Sequence, residues 1–256
     1  MTSGRTGPQS AAVGAITVRP CHKLEDFYAC VELQRQIWGE DDLEVEPSTM
    51  FVVAAHTGGQ VLGAFDGARL VGYTLAVAAL RNGAPYLHSH MTGVLAEYRD
   101  RGVGRALKLF QREEALSRDI RLIEWTFDPL EMRNAHFNLN RLGALARRYL
   151  PNLYGITTSP LHRGHATDRL VAEWYLDSPR VLAALNGQLA PLPASTLIPI
   201  PAELEDWKSS APERIESVQS TARAQFMEAF ARGYAALAVA RTPAGSAYQL
   251  APWSEF

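Results

Sequence analysis

The stretch from residue 91 to residue 127 constrains the fold more than any other. Met91–Leu95 is an apolar, strand-like run that leads into Arg99-Asp100-Arg101-Gly102-Val103-Gly104-Arg105. After the glycines, Ala106, Leu107 and Phe110 join Val103 at spacings of three, four and seven, which is one face of a helix. A second apolar run, Leu122–Phe127, follows that helix. A strand, a crossover helix and another strand make a parallel pair. Upstream, Val61–Phe65 is separated from Leu70–Leu80 by Asp66-Gly67, and Leu70–Leu80 from Tyr86–Leu95 by Asn82-Gly83. Asp-Gly and Asn-Gly tolerate the positive φ of tight hairpins, so these three strands form an antiparallel meander. Antiparallel strands running into a parallel pair predict a mixed sheet, and an α/β (α+β mixed) chain.

The same stretch carries chemistry. Glycines at a strand-to-helix turn let backbone N–H groups and the helix dipole approach an anion, and Arg99, Arg101 and Arg105 add cations there. A Walker loop is excluded, because Arg105-Ala106 follows Gly104 where Gly-Lys-Ser/Thr would stand. A Rossmann fingerprint is excluded, because Leu107 takes the place of its third glycine. Two readings remain, a pyrophosphate cradle or a plain glycine-rich turn with exposed arginines.

Arg99-x-x-Gly102-x-Gly104 resembles the acyl-CoA loop, Q/R-x-x-G-x-G/A, of the GNAT acyltransferases. The order of elements over residues 15–178 is similar too: strand, two helices, three antiparallel strands, loop and helix, parallel strand. Asn134 through Leu142-Gly143-Ala144 resembles that family's second signature. The resemblance implies a central mixed sheet of about seven strands with flanking helices, and acetyl-CoA or another acyl-CoA as co-substrate. It places the pantetheine arm along Thr92, Gly93 and Val94, and the diphosphate on Arg99, Asp100, Arg101, Gly102, Val103, Gly104 and Arg105, with Asn134 as a further contact. It also implies that the parallel strands splay after Val94 and Thr126 to admit the arm. The implied reaction is direct attack of an amine on the thioester. The family's tyrosine acid falls on Leu139 here, which leaves water, Asn138, Tyr149 or Tyr154 to protonate the thiolate. Candidate bases are Glu124 on the strand after the crossover and Asp128 at its end; Asp128-Pro129 also reads as a turn and helix start.

Among the 256 residues, 47% are apolar and 20% charged, enough for a full core, and the net charge of −2 gives no footprint for nucleic acid. No apolar run reaches the ~18 residues of a membrane span. Met1–Gly14 reads as a disordered tail. Cys21 and Cys30 lack metal spacing and read as reduced thiols of a cytoplasmic protein. Residues 15–178 are expected to form the acyltransferase domain. Residues 179–256 form a C-terminal extension: Pro191-Leu192-Pro193 and Pro199-Ile200-Pro201 as a semi-rigid linker, a helix with Ile215, Val218, Ala222, Phe226, Ala229 and Phe230 on one face, then two strands. A piece this small cannot hold a core alone. It is expected to pack on the main domain or on a second subunit, as in a homodimer.

His88 and His90 share one face of a strand and, with His162 and His165, could make half metal sites; a polar substrate cleft or core histidines are the alternative, and no metal is expected. Asn134, Asn138 and Arg141 share a helical face. Arg133, Arg141, Arg147 and Arg148 crowd one segment, which predicts a substrate carboxylate on an amino acid acceptor or a succinyl-type acyl group; arginines placed for solubility are the alternative. The function that follows is acyl transfer from acyl-CoA to a small amine. A non-catalytic acyl-CoA-binding or regulatory module is its rival, because of Leu139.

Overall fold

Tight turns set the first half of the fold. In the computed structural model, which describes residues 7–39, 45–156, 165–192 and 196–253, β1 (Ala11–Val13) turns at Gly14 into β2 (Ile16–Pro20). The segment expected as a tail thus contains a strand, because Gly14 takes a φ of 59° and Val13 pairs with Ile16. Helices α1 (Leu24–Trp38) and α2 (Ser48–His56) follow, then β3 (Gln60–Asp66), β4 (Arg69–Arg81) and β5 (Ala84–Val94). The β3–β4 turn opens on Gly67 at φ 57°, and the β4–β5 turn uses Asn82 and Gly83, both at positive φ. After β5 come α3 (Val103–Ser117) and β6 (Leu122–Phe127). The strand order here is β1-β2-β3-β4-β5-β6, antiparallel except for the parallel β5–β6 pair. Tyr73 packs against Trp38 and Phe51, while a side chain at neighbouring Gly72 would meet Leu107. Successive strand residues face opposite ways, so α1 and α2 cover one face and α3 the other.

The described residues fall into two compact units, divided within β6 between Glu124 and Trp125. The second unit contains α4 (Met132–His136), a π-type turn at Phe137–Arg141, β7 (Leu145–Leu150), β8 (Arg169–Tyr175), α5 (Pro179–Leu185), β9 (Thr196–Pro201), α6 (Leu204–Ser210), α7 (Pro212–Ala231), β10 (Tyr234–Thr242) and β11 (Gly245–Pro252). Its strands run β8-β7-β10-β11-β9. Ala236 of β10 pairs with Ala146 of β7, so residues beyond 179 extend the sheet that β7 and β8 begin. Phe226 of α7 stacks on Tyr149 and meets Tyr248 edge-on. Close by, Asp168 is wholly buried and accepts from Nε and Nη2 of Arg223, from the Tyr149 hydroxyl and from the Asn152 N–H.

Two expectations change here. Pro199-Ile200-Pro201 is the end of β9, not a linker; among the described residues β9 pairs only with β11, at the sheet's edge, where proline's missing N–H faces away from the ladder. Ile198 and Ile200 point inward in alternation. Pro193 of the expected linker lies outside the described residues. The helix on which Asn134, Asn138 and Arg141 were expected to share a face is α4 followed by the π turn, in which Leu142 N–H reaches back to Phe137 O. An extra residue per turn of this kind shifts the side chains that follow.

Candidate functional site

In the first unit, β5 delivers the chain to the loop. Thr92 Oγ1 lies 2.8 Å from Thr74 Oγ1, and Gly93 is packed so closely on α1 that a Cβ would stand 2.8 Å from Ile37 Cδ1. β5 pairs in parallel with β6 at Leu87↔Ile123 and His88↔Glu124.

Beyond β5 the chain makes a 3-10 turn at Ala96–Tyr98, and Arg99 Nε donates back to Val94 O at 3.2 Å. Asp100 and Gly102 both take positive φ, 61° and 81°, which turns the backbone into α3. Ala106 N–H bonds to Gly102 O at 2.9 Å, so the N–H groups of the first turn ahead of it precede the helical ladder. Arg101 lies over the Tyr98 ring, and its side chain, like that of Arg99, is exposed. Gly104 is the informative residue. Its φ is not positive, and a Cβ there would meet only Val94 Cγ2, at an ordinary 3.8 Å. The fold itself has room for a side chain at 104. The space that glycine leaves suits a diphosphate resting on the helix N-terminus.

The histidines lie upstream on the same strand. A bulge falls at His90, since Leu75 pairs with Met91 while Ala76 pairs with Ser89. The His88 and His90 rings lie 6.5 Å apart, and His90 Nε2 is 2.8 Å from Glu46 Oε1. The imidazole holds the Glu46 carboxyl below the usual carboxylate range. On the opposite face Ser89 Oγ accepts from Lys108 Nζ at 2.8 Å, and Lys108 also donates to Gln111 at 3.0 Å. Burial brings the Lys108 ammonium down to about 7. Glu124, one of the expected bases, is 2% exposed and ion-paired with Arg81.

In the second unit Asp128 Oδ1 accepts from Leu130 N–H at 2.8 Å, a helix-start turn as its Asp-Pro sequence allowed. Arg133 and Asn134 lie exposed on α4 and Arg141 exposed at the end of the π turn. Asn138 is buried, and among the described residues its Nδ2 has no hydrogen-bond partner. Leu139 is fully buried, and its carbonyl accepts from Arg180 at 3.2 Å. Tyr149 donates to Asp168 at 2.7 Å, and Tyr154 bonds Thr126 at 2.9 Å. Arg147 and Arg148, expected near a substrate carboxylate, are instead spent on Glu173, at 2.7 and 3.4 Å, across the β7–β8 pair. His162 lies outside the described residues. Among the described residues no three His, Cys, Asp or Glu side chains form a metal-binding group, and no helix is long and apolar enough to cross a membrane.

Sequence reasoning missed Glu46 and the bulge. No spacing links Glu46 to His90, 44 positions away.

No protein-family model matches the sequence, and no curated protein matches it. Solved structures do match in shape. One is the ribosomal-protein-S18-alanine N-acetyltransferase of Escherichia coli, 12% identical with a TM-score of 0.51 over 64% of this chain and 95% of that one. Another is Arabidopsis thaliana NAA60 in complex with acetyl-CoA, 16% identical with a TM-score of 0.52 over 62% and 99%. A third is Arabidopsis thaliana Naa50 with the bisubstrate analogue CoA-Ac-MVNAL, 15% identical with a TM-score of 0.50 over 62% and 97%. Almost the whole length of each is matched within about two thirds of this chain, and its fold is that of the GNAT acetyltransferases.

Proposed function

We propose that this protein is an acyltransferase that carries an acyl group from acyl-CoA to an amine. The observation that carries the reading is Gly104: the fold leaves its Cβ position open, at the N-terminus of a 15-residue helix, between arginines. The extended run Thr92–Val94 that ends β5 just before the loop supports it, because a pantetheine arm can lie along such a strand. The matched structures include complexes with acetyl-CoA and with a CoA–peptide analogue. In this reading Arg99, Asp100, Arg101, Gly102, Val103, Gly104 and Arg105 hold the diphosphate and Asn134 is a further CoA contact. The acyl group is acetyl or a larger one such as succinyl, and the acceptor is a small amine, amino acids included. Residues 15–178 carry the transfer, and residues 179–256 support β7. Reaction proceeds by direct attack, with the acceptor nitrogen on the thioester carbon and the thiolate as leaving group.

Full burial of Leu139 favours a second reading, a module that binds acyl-CoA without transfer. Release of free thiol from acetyl-CoA and succinyl-CoA across a panel of amines separates the two. Amine-dependent thiol release supports transfer; tight acetyl-CoA binding with no release on any amine overturns it.

A further inference from the structure

We infer that His90 is the residue that takes the proton of the acceptor amine, and that Glu46 is a positioning residue that orients its imidazole. The inference rests on the transferase reading above. His90, Glu46, Gln34 and the loop before α3 all lie within one compact unit.

The pair is built from both sides. Gln34 of α1 is fully buried, and its amide clasps the backbone of Glu46 twice, Glu46 N–H to Oε1 at 2.8 Å and Nε2 to Glu46 O at 3.0 Å. That clasp fixes where the Glu46 carboxylate stands, two residues before α2. From β5, the bulge turns His90 toward α1 and α2, and the Lys108–Ser89–Gln111 network pins the preceding residue on the other face. The side chains of His90 and Glu46 are 32% and 30% exposed, so the pair is held yet reachable. With Nε2–H directed at the carboxylate, the Nδ1 nitrogen carries the lone pair.

Position along β5 agrees. An acyl-CoA held at the α3 N-terminus and along Thr92–Val94 presents its thioester toward the residues that precede Thr92. His90 is four residues before Val94, on the order of 13 Å along a strand. The alternative carboxylates are otherwise engaged: Glu124 is buried against Arg81, and Asp128 closes a turn with Leu130.

The step balances as follows. The acceptor arrives as an ammonium and gives one proton to His90 Nδ1. Its freed lone pair forms the C–N bond to the thioester carbon. The C–S bond breaks with its electron pair on sulfur, and the second N–H proton ends on that sulfur. The imidazolium returns its proton to water, so the products are amide, thiol and one proton.

The test uses the full chain, acetyl-CoA and whichever amine of the panel the parent acylates fastest. His90→Ala is expected to lower kcat by about 100-fold or more, while acetyl-CoA affinity by calorimetry stays within about threefold. Added imidazole should restore part of kcat in proportion to its concentration. Glu46→Gln should lower kcat by on the order of tenfold at unchanged KM for acetyl-CoA, with Glu46→Asp intermediate. His90→Gln serves as a second variant where alanine impairs folding. A kcat within about threefold of the parent in both His90 variants overturns the inference while leaving the transferase reading intact, as does a kcat loss in His88→Ala that His90→Ala lacks. A parent that binds acetyl-CoA but acylates no amine overturns both.

Discussion

Two segments of this chain use the same residue types to opposite ends. The first, Arg99–Arg105, leaves β5; the second, Leu142–Arg148, enters β7. Each holds a glycine that belongs to a recognisable pattern, and each holds arginines. At Gly104 an added Cβ would have a single neighbour, 3.8 Å away. At Gly143 the φ is 76°, and a Cβ would lie 2.7 Å from Ala184 Cβ and 3.0 Å from Val181 Cα. Arg99 and Arg101 meet a backbone carbonyl and an aromatic ring, whereas Arg147 and Arg148 close on the buried Glu173. A glycine that the fold crowds is there for the fold. A glycine that the fold leaves uncrowded, beside helix N–H groups, is not required by the packing around it.

The largest effect expected from this contrast is at Gly143. Gly143→Ala forces a left-handed φ on a side chain and drives it into the backbone of α5, roughly 4 kcal/mol of lost stability. Urea unfolding should show it, and acetyl-CoA affinity of the folded fraction should not change. Unchanged stability would erase the distinction between the two glycines.

Next comes Arg147. Burial alone would raise the Glu173 carboxyl; hydrogen bonds from Arg147 and Tyr175, with the charges of Arg147 and Arg148, outweigh it and hold it below its ordinary range. A depressed carboxyl stabilises the fold above its unfolded pKa, and that stability is lost as pH falls through the folded one. Arg147→Ala should therefore lose about 3 kcal/mol near neutral pH, and much less at acid pH, because Glu173 is protonated there. Thermal melts across that range check it. Loss of succinyl-CoA turnover at unchanged stability would return Arg147 to the substrate.

Gly104→Val should act the other way. Stability should hold, since the position has room, while acetyl-CoA affinity falls at least about tenfold, near 1.4 kcal/mol. Calorimetry with an unchanged affinity would remove the diphosphate from this helix.

What could be read in advance follows the same divide. Asn82-Gly83 and Gly67 marked hairpins because positive φ is a local demand, and the Val103–Phe110 spacing marked α3 because helical period is local too. β9 was hidden because Pro199 and Pro201 carry linker chemistry that only an edge position makes compatible with a strand. The π turn was hidden because helix period alone does not specify an inserted residue. Arg148 looked available because its carboxylate, Glu173, stands 25 positions away on the neighbouring strand. Glu46 escaped notice for the same reason, since His90 stands 44 positions away. The turn through Gly102 into α3 was legible since all of it lies within a few consecutive residues; the histidine–glutamate pair needed the tertiary fold.

The smallest effect concerns Arg141, an exposed candidate for a substrate carboxylate. Arg141 is exposed at the end of the π turn, and His136 lies on the helix before it. Burial lowers the His136 imidazole below its ordinary value, and the positive charges of Arg141 and Arg241 lower it further. Both guanidiniums thus act on one spot, which is the electrostatic setting that an anionic group would relieve. Arg141→Ala removes one of the two repulsions, so His136 should titrate at higher pH in the variant, by proton resonance of its ring. If the same surface serves a carboxylate, saturating succinate should raise the parent's His136 titration and do so less in Arg141→Ala. The preference for succinyl-CoA over acetyl-CoA should then fall in step. An imidazole that titrates upward in the variant but ignores succinate would confirm the local repulsion and leave Arg141 a solvated surface charge.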